Sequence, residues 1–162
     1  MAITQAMTTS FKAQLMLAVH DFRPSADTGA DVFKLALYSS TASLDANTTT
    51  YSSSDEVSSS GTNYTAGGGA LTNLGATAVN TNASAGTGFV DFGDLTFANA
   101  TITARGALIY NTTPSANSNA NTALTNAAVA VLDFGSDKTA TNGDFTIIFP
   151  TATNTTAILR IA

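Results

Sequence analysis

Apolar residues fall in short runs along the 162-residue chain, with one period near the N-terminus and another after it. Between residues 8 and 22, Phe11, Leu15 and Val19 recur four apart, and Met16 and Leu17 broaden the stripe, as on one face of a helix. Ser10 is placed to cap its first turn. Arg23-Pro24 ends it, because the residue before proline avoids the helical region. Two readings of this helix stand: an amphipathic cover for one edge of a sheet, or a partner-binding arm with Phe11 and Leu15 as anchors.

From residue 31 onward the period shortens to two. Phe33, Leu35 and Leu37 alternate with Lys34, Ala36 and Tyr38, which predicts a half-buried strand. Residues 39–62 are Ser-, Thr- and Asn-rich, with Leu44, Tyr51 and Val57 as apolar anchors. A loop this long in a compact fold needs a purpose. Tyr64-Thr65-Ala66-Gly67-Gly68-Gly69 reads as a glycine turn leading into residues 70–74, and 75–88 is again small and polar. Phe89-Val90-Asp91-Phe92 and Leu95-Thr96-Phe97 flank Gly93-Asp94, the pattern of one long strand carrying a bulge. Ile102 to Tyr110 predicts a strand with Ile102, Ala104, Gly106, Leu108 and Tyr110 on one face. Asn111 to Thr125, with Pro114, predicts a loop. Ala128–Phe134, Phe145–Phe149 and Ile158–Ile161 predict three further strands. The sum is an all-β fold over residues 1–162: a single β-sandwich domain, jelly-roll-like or Ig-like, of about 7–8 strands with one short N-terminal helix.

Composition narrows the function. Charged residues make up 10% of the chain, against about 25% in an average soluble domain. There is one histidine (His20), one glutamate (Glu56), no cysteine and no tryptophan. A triad or zinc site built on histidine and cysteine is excluded by residue count. The net charge is −5 and the isoelectric point about 4.4, with Lys12, Arg23, Lys34, Arg105, Lys138 and Arg160 scattered singly. That argues against nucleic acid as a partner, since a nucleic-acid reader clusters its cations. The first residues lack the basic and apolar regions of a secretory signal, and no window is apolar enough to span a membrane. The expectation is a chain made in a host cytoplasm, with no membrane partner.

The remaining motifs have plain structural accounts. Asp91-Phe92-Gly93 and Asp133-Phe134-Gly135 match a kinase triplet, yet the catalytic loop and glycine-rich loop that a kinase requires are missing. Strand-ending turns explain both. Asn47, Asn63, Asn82, Asn99, Asn111 and Asn154 begin Asn-x-Ser/Thr sequons, which are frequent by chance in this composition. Besides Asp55/Glu56, Asp91/Asp94 and Asp133/Asp137 are the near pairs of acids for a glycosidase, but Tyr38, Tyr51, Tyr64 and Tyr110 are spread along the chain and no tryptophan offers a sugar platform. Solvated turn acids fit better. Asp133, Asp137 and Asp144 lack the regular ladder of a calcium loop. His20, near the predicted helix end, suits a partly positive imidazole at the C-terminal dipole. Residues 67–69 lack the Lys-Ser/Thr of a phosphate loop. Lys34 and Arg105 on strands are expected to face solvent or an interfacial acid. No catalytic, cofactor-binding or metal-binding residue is assigned.

Five segments, taken in order, resemble a known family. These are Phe33-Lys34-Leu35-Ala36-Leu37-Tyr38, Tyr64-Thr65-Ala66-Gly67-Gly68, Ala104-Arg105-Gly106-Ala107-Leu108-Ile109-Tyr110-Asn111, Ala130-Val131-Leu132-Asp133-Phe134-Gly135 and Ile158-Leu159-Arg160-Ile161-Ala162. The series resembles small virion structural proteins of tailed bacteriophages, over nearly the whole chain. The resemblance implies a structural role without catalysis or cofactor. Its leading form is a capsid decoration (cement) protein on the virion surface, a dimer or trimer that binds the major capsid protein and stabilises the shell. The alternative is a tail, fibre or adhesin component whose loops 39–62 and 111–125 touch a receptor or glycan. For assembly contacts, the helix, the long loops and the residues Phe11, Leu15 and Tyr51 are the candidates.

Overall fold

Strand β2 (Phe33–Tyr38) is an interior strand of the larger of two antiparallel sheets and is covered on both faces. A computed structural model describes residues 2–79, 86–114 and 124–161 of the chain. Phe33, Leu35 and Leu37 point into the main core, while Ala36 and Tyr38 point into a second cluster behind the sheet. Only Lys34 in this strand keeps some exposure. The strand is therefore buried on two sides, where alternation predicted one. Each large apolar side chain moved fully out of water contributes about 1.5–3 kcal/mol.

The large sheet has the order β1-β7-β6-β2-β3, with β1 at Ala6–Met7, β3 at Gly69–Ala70, β6 at Leu95–Asn111 and β7 at Ala127–Ile147. The smaller sheet has the order β4-β5-β8, from Asn73–Val79, Thr87–Phe92 and Leu159–Ile161. Val90, Phe92 and Leu159 of the small sheet meet Phe33, Phe97 and Ile109 of the large one in a shared core. Eight strands and one short helix among the described residues make the all-β, sandwich-like fold that periodicity predicts.

Three predicted strand boundaries change. Gly93-Asp94 is not a bulge within one strand: β5 and β6 lie in different sheets, and these two residues carry the chain across. The segments 128–134 and 145–149 belong to one 21-residue strand, β7, paired along nearly all of β6. The stretch after residue 74 remains a strand through Val79.

The face of β6 also changes part-way. Ala104 pairs with Lys138 and Gly106 with Asp133, so one residue of β6, Arg105, stands opposite four of β7, residues 134–137. This irregularity inserts half a period. Ile102 and Ala104 share the main core with Ala107 and Ile109, whereas Leu108 and Tyr110 enter the second cluster. The predicted single face is thus split between two cores.

Helix α1 spans Thr9–Met16, half the predicted length, and Thr8 rather than Ser10 caps it. The Thr8 Oγ1 accepts from Phe11 N at 3.3 Å and donates to Ala128 O at 2.9 Å, tying the cap to β7. Ala18 adopts φ 53° just past the last turn, a left-handed stop. Val19 is buried outside the helix, while Met16 (84% exposed) and Leu17 (57%) leave the expected stripe for solvent.

Candidate functional site

All four tyrosines gather around the single glutamate, despite their spread in sequence, and two of them bond it. Tyr51 Oη donates to Glu56 Oε2 at 2.6 Å, and Tyr64 Oη donates to Glu56 Oε1 at 2.7 Å. Gly67 N adds a third donor to Oε1 at 2.7 Å. The Tyr64 hydroxyl accepts from Leu37 N, Tyr110 Oη donates to Gly67 O, and Tyr38 Oη donates to Ser52 O. Tyr51 stacks on Tyr110 with ring centroids 4.7 Å apart. Burial pushes the Tyr110 phenol up to about 12, with the Glu56 charge adding to it. Burial raises Tyr38, Tyr51 and Tyr64 further still. These phenols stay protonated and donate. The cluster is a clasp that holds loop 39–62 across the back of the large sheet, where Ala42 seals the second cluster and Leu44 packs against it. That cover is the purpose of the long loop.

A second polar network ties the end of the helical region to β6. His20 Nε2 faces Gln14 Oε1 at 2.8 Å, and His20 Nδ1 faces Asn111 Nδ2 at 3.0 Å. An amide nitrogen only donates, so Nδ1 accepts and Nε2 carries the proton. The Asn111 amide also donates to Asp31 Oδ2 at 2.7 Å. Burial lowers the His20 pKa to about 4, with the Asp31 charge opposing the shift. His20 is therefore a neutral core group, where the helix-dipole argument expected partial positive charge. Asn111, at the start of one sequon, is fully buried. Asn82 lies outside the described residues, as does much of loop 111–125.

Most of the candidate acids accept hydrogen bonds from nearby backbone. Asp91 is 1% exposed, not a solvated turn acid, and its Oδ2 lacks a hydrogen-bond partner. Burial raises its pKa. Asp94 Oδ1 accepts from Phe149 N and fastens the crossover. Asp133 Oδ1 accepts from Gly135 N and pairs with Arg105 Nε at 3.2 Å, so the second Asp-Phe-Gly triplet is a turn and Arg105 has an internal partner. Asp144 accepts from Asn99 N at the other end of β7. Among the described residues, no three His, Cys, Asp or Glu side chains group to hold a metal.

One feature open to a partner is an apolar cleft of about 320 Å³ between the helical region and the small sheet. Met7, Phe11 and Leu15 form one wall, with Leu159 and Ile161 on the other. Of the predicted anchors, Phe11 is core at the cleft floor and Leu15 is half-buried in its wall, while Tyr51 belongs to the clasp. Ile161, 61% exposed, marks the rim, and Met16 directly follows Leu15. The terminal Ile-Leu-Arg-Ile run was legible as a strand; its place in a cleft was not. The chain matches no protein-family model, no curated protein and no solved structure.

Proposed function

We propose that this chain is a structural component of a tailed-bacteriophage virion, a decoration protein bound as a dimer or trimer on the outer surface of the major capsid shell. The supporting observation is how the polar and apolar groups are used. Glu56, His20 and Asp31 are spent on internal hydrogen bonds that hold loops and the helical region in place, while an apolar cleft with an exposed rim is left for contact. Exposed apolar surface of this kind is a recognition feature. Assembly on a shell also stabilises a cysteine-free fold by mass action. The test is copy number and heat release: particles carry the protein in hundreds of copies, and those lacking it lose their genome at lower temperature. Particles with only a few copies refute the decoration role.

One observation favours a tail or adhesin role. The loop 39–62 carries a polar groove of about 410 Å³, lined by hydroxyls, Asn47, Asp45 and Asp55. A glycan array decides: saturable binding lost in Asp55→Ala supports that role, and no binding at millimolar ligand removes it.

A further inference from the structure

We infer that the cleft between α1 and β8 docks an extended apolar segment of the shell protein, added as a strand beside β8 and carrying an acidic residue opposite Arg160. This rests on the proposed capsid role and names the surface that performs it. Three observations carry it. First, β8 is an edge: it pairs with β5 through Leu159↔Val90, Arg160↔Phe89 and Ile161↔Gly88, and no described strand pairs with its outer side. An edge beside an apolar cleft offers main-chain hydrogen bonds and side-chain pockets together, the requirements for strand addition.

Second, the charge is local and of one sign. The molecule carries −5 overall, yet among the described residues Arg160 is the sole charged one lining this cleft. Its guanidinium donates to Thr155 O, and among the described residues it forms no ion pair. A partner strand with an acid beside its apolar residues meets both features. Third, self-pairing is disfavoured here: two copies of β8 aligned antiparallel about Arg160 place two arginines opposite each other, and like charges across a strand pair repel. An acyl chain fills the cleft but leaves the β8 edge unpaired.

The experiment uses purified capsids that lack this protein and measures sedimentation of the labelled full chain with them. Ile161→Asp and Arg160→Glu are compared with Thr103→Asp on the solvated face of β6, all with thermal melts as a folding check. Arg160 and Ile161 are exposed enough that their replacement leaves the core intact. The expected result is at least about tenfold weaker capsid binding for the two cleft variants, with Thr103→Asp unchanged. Wild-type binding with unaltered cleft variants overturns this inference alone. Failure of the wild-type chain to bind capsids overturns the capsid role and the inference with it. Two further results overturn it: cleft variants that lose binding to anionic phospholipid vesicles but keep capsid binding, and variants that change only oligomeric mass.

Discussion

Acidification from pH 7 to pH 4 protonates a histidine that the fold holds neutral, and the cost follows from its surroundings. The His20 Nδ1 accepts from Asn111, whose amide is itself anchored by Asp31, so a proton on Nδ1 places two donors face to face. The folded-state pKa is about 4, below the ordinary 6.5. The unfolded chain therefore binds the proton first, and stability falls with pH between those values. The contribution is complete above about pH 6.5 and lost as pH falls toward 4. Linkage gives a loss of about 2 kcal/mol by pH 5 and about 3 kcal/mol by pH 4. With a urea m-value of about 2 kcal/mol/M, the midpoint drops by roughly 1 M between pH 7 and pH 5. The assay is urea unfolding followed by circular dichroism, since the chain has no tryptophan. In His20→Gln the slope across this window disappears, although the variant starts less stable. Asp91, whose pKa is raised, acts with the opposite sign as pH falls, so the comparison is repeated in an Asp91→Asn background. A wild-type midpoint that stays constant from pH 6.5 to 4.5, or a His20 ring that titrates near 6.5 by NMR, refutes the reasoning.

Other outcomes follow from the same contacts. Glu56→Ala strands three donors and costs about 3 kcal/mol; limited proteolysis then cuts within loop 39–62 well before the sheets. Asp91→Asn removes a buried carboxylate with an unpartnered oxygen and stabilises the fold by about 1–2 kcal/mol at neutral pH. Its gain shrinks as acid protonates Asp91 in the parent protein, which denaturation at two pH values checks. Gly68→Ala sets a Cβ against the Leu35 carbonyl at φ 72° and costs more than about 4 kcal/mol, seen as loss of soluble protein or of the thermal transition.

Much of the fold was legible because period two is local. Phe33–Tyr38, Ala128–Phe134 and Ile158–Ile161 announce strands through their own alternation, and the one helix is announced by Phe11 and Leu15. The errors share a cause. Whether Gly93-Asp94 bends one strand or joins two depends on which partners each side finds, and β5 pairs with β4 and β8 while β6 pairs with β7 and β2. The helix stops at left-handed Ala18, and His20 beyond it bonds Asn111, 91 residues away, a contact that no window of the chain can register.

The amino-acid order alone determined an all-β chain with a short leading helix, lacking the histidines and cysteines that much polar chemistry requires. Those properties reside in residue type and nearest-neighbour spacing. Tertiary structure decided the rest: two sheets with a second core behind the larger one, four distant tyrosines gathered around one glutamate, a neutral buried histidine, and a cleft beside an open strand. Each is set by long-range pairing, in which one extra residue in a ladder exchanges inside for outside.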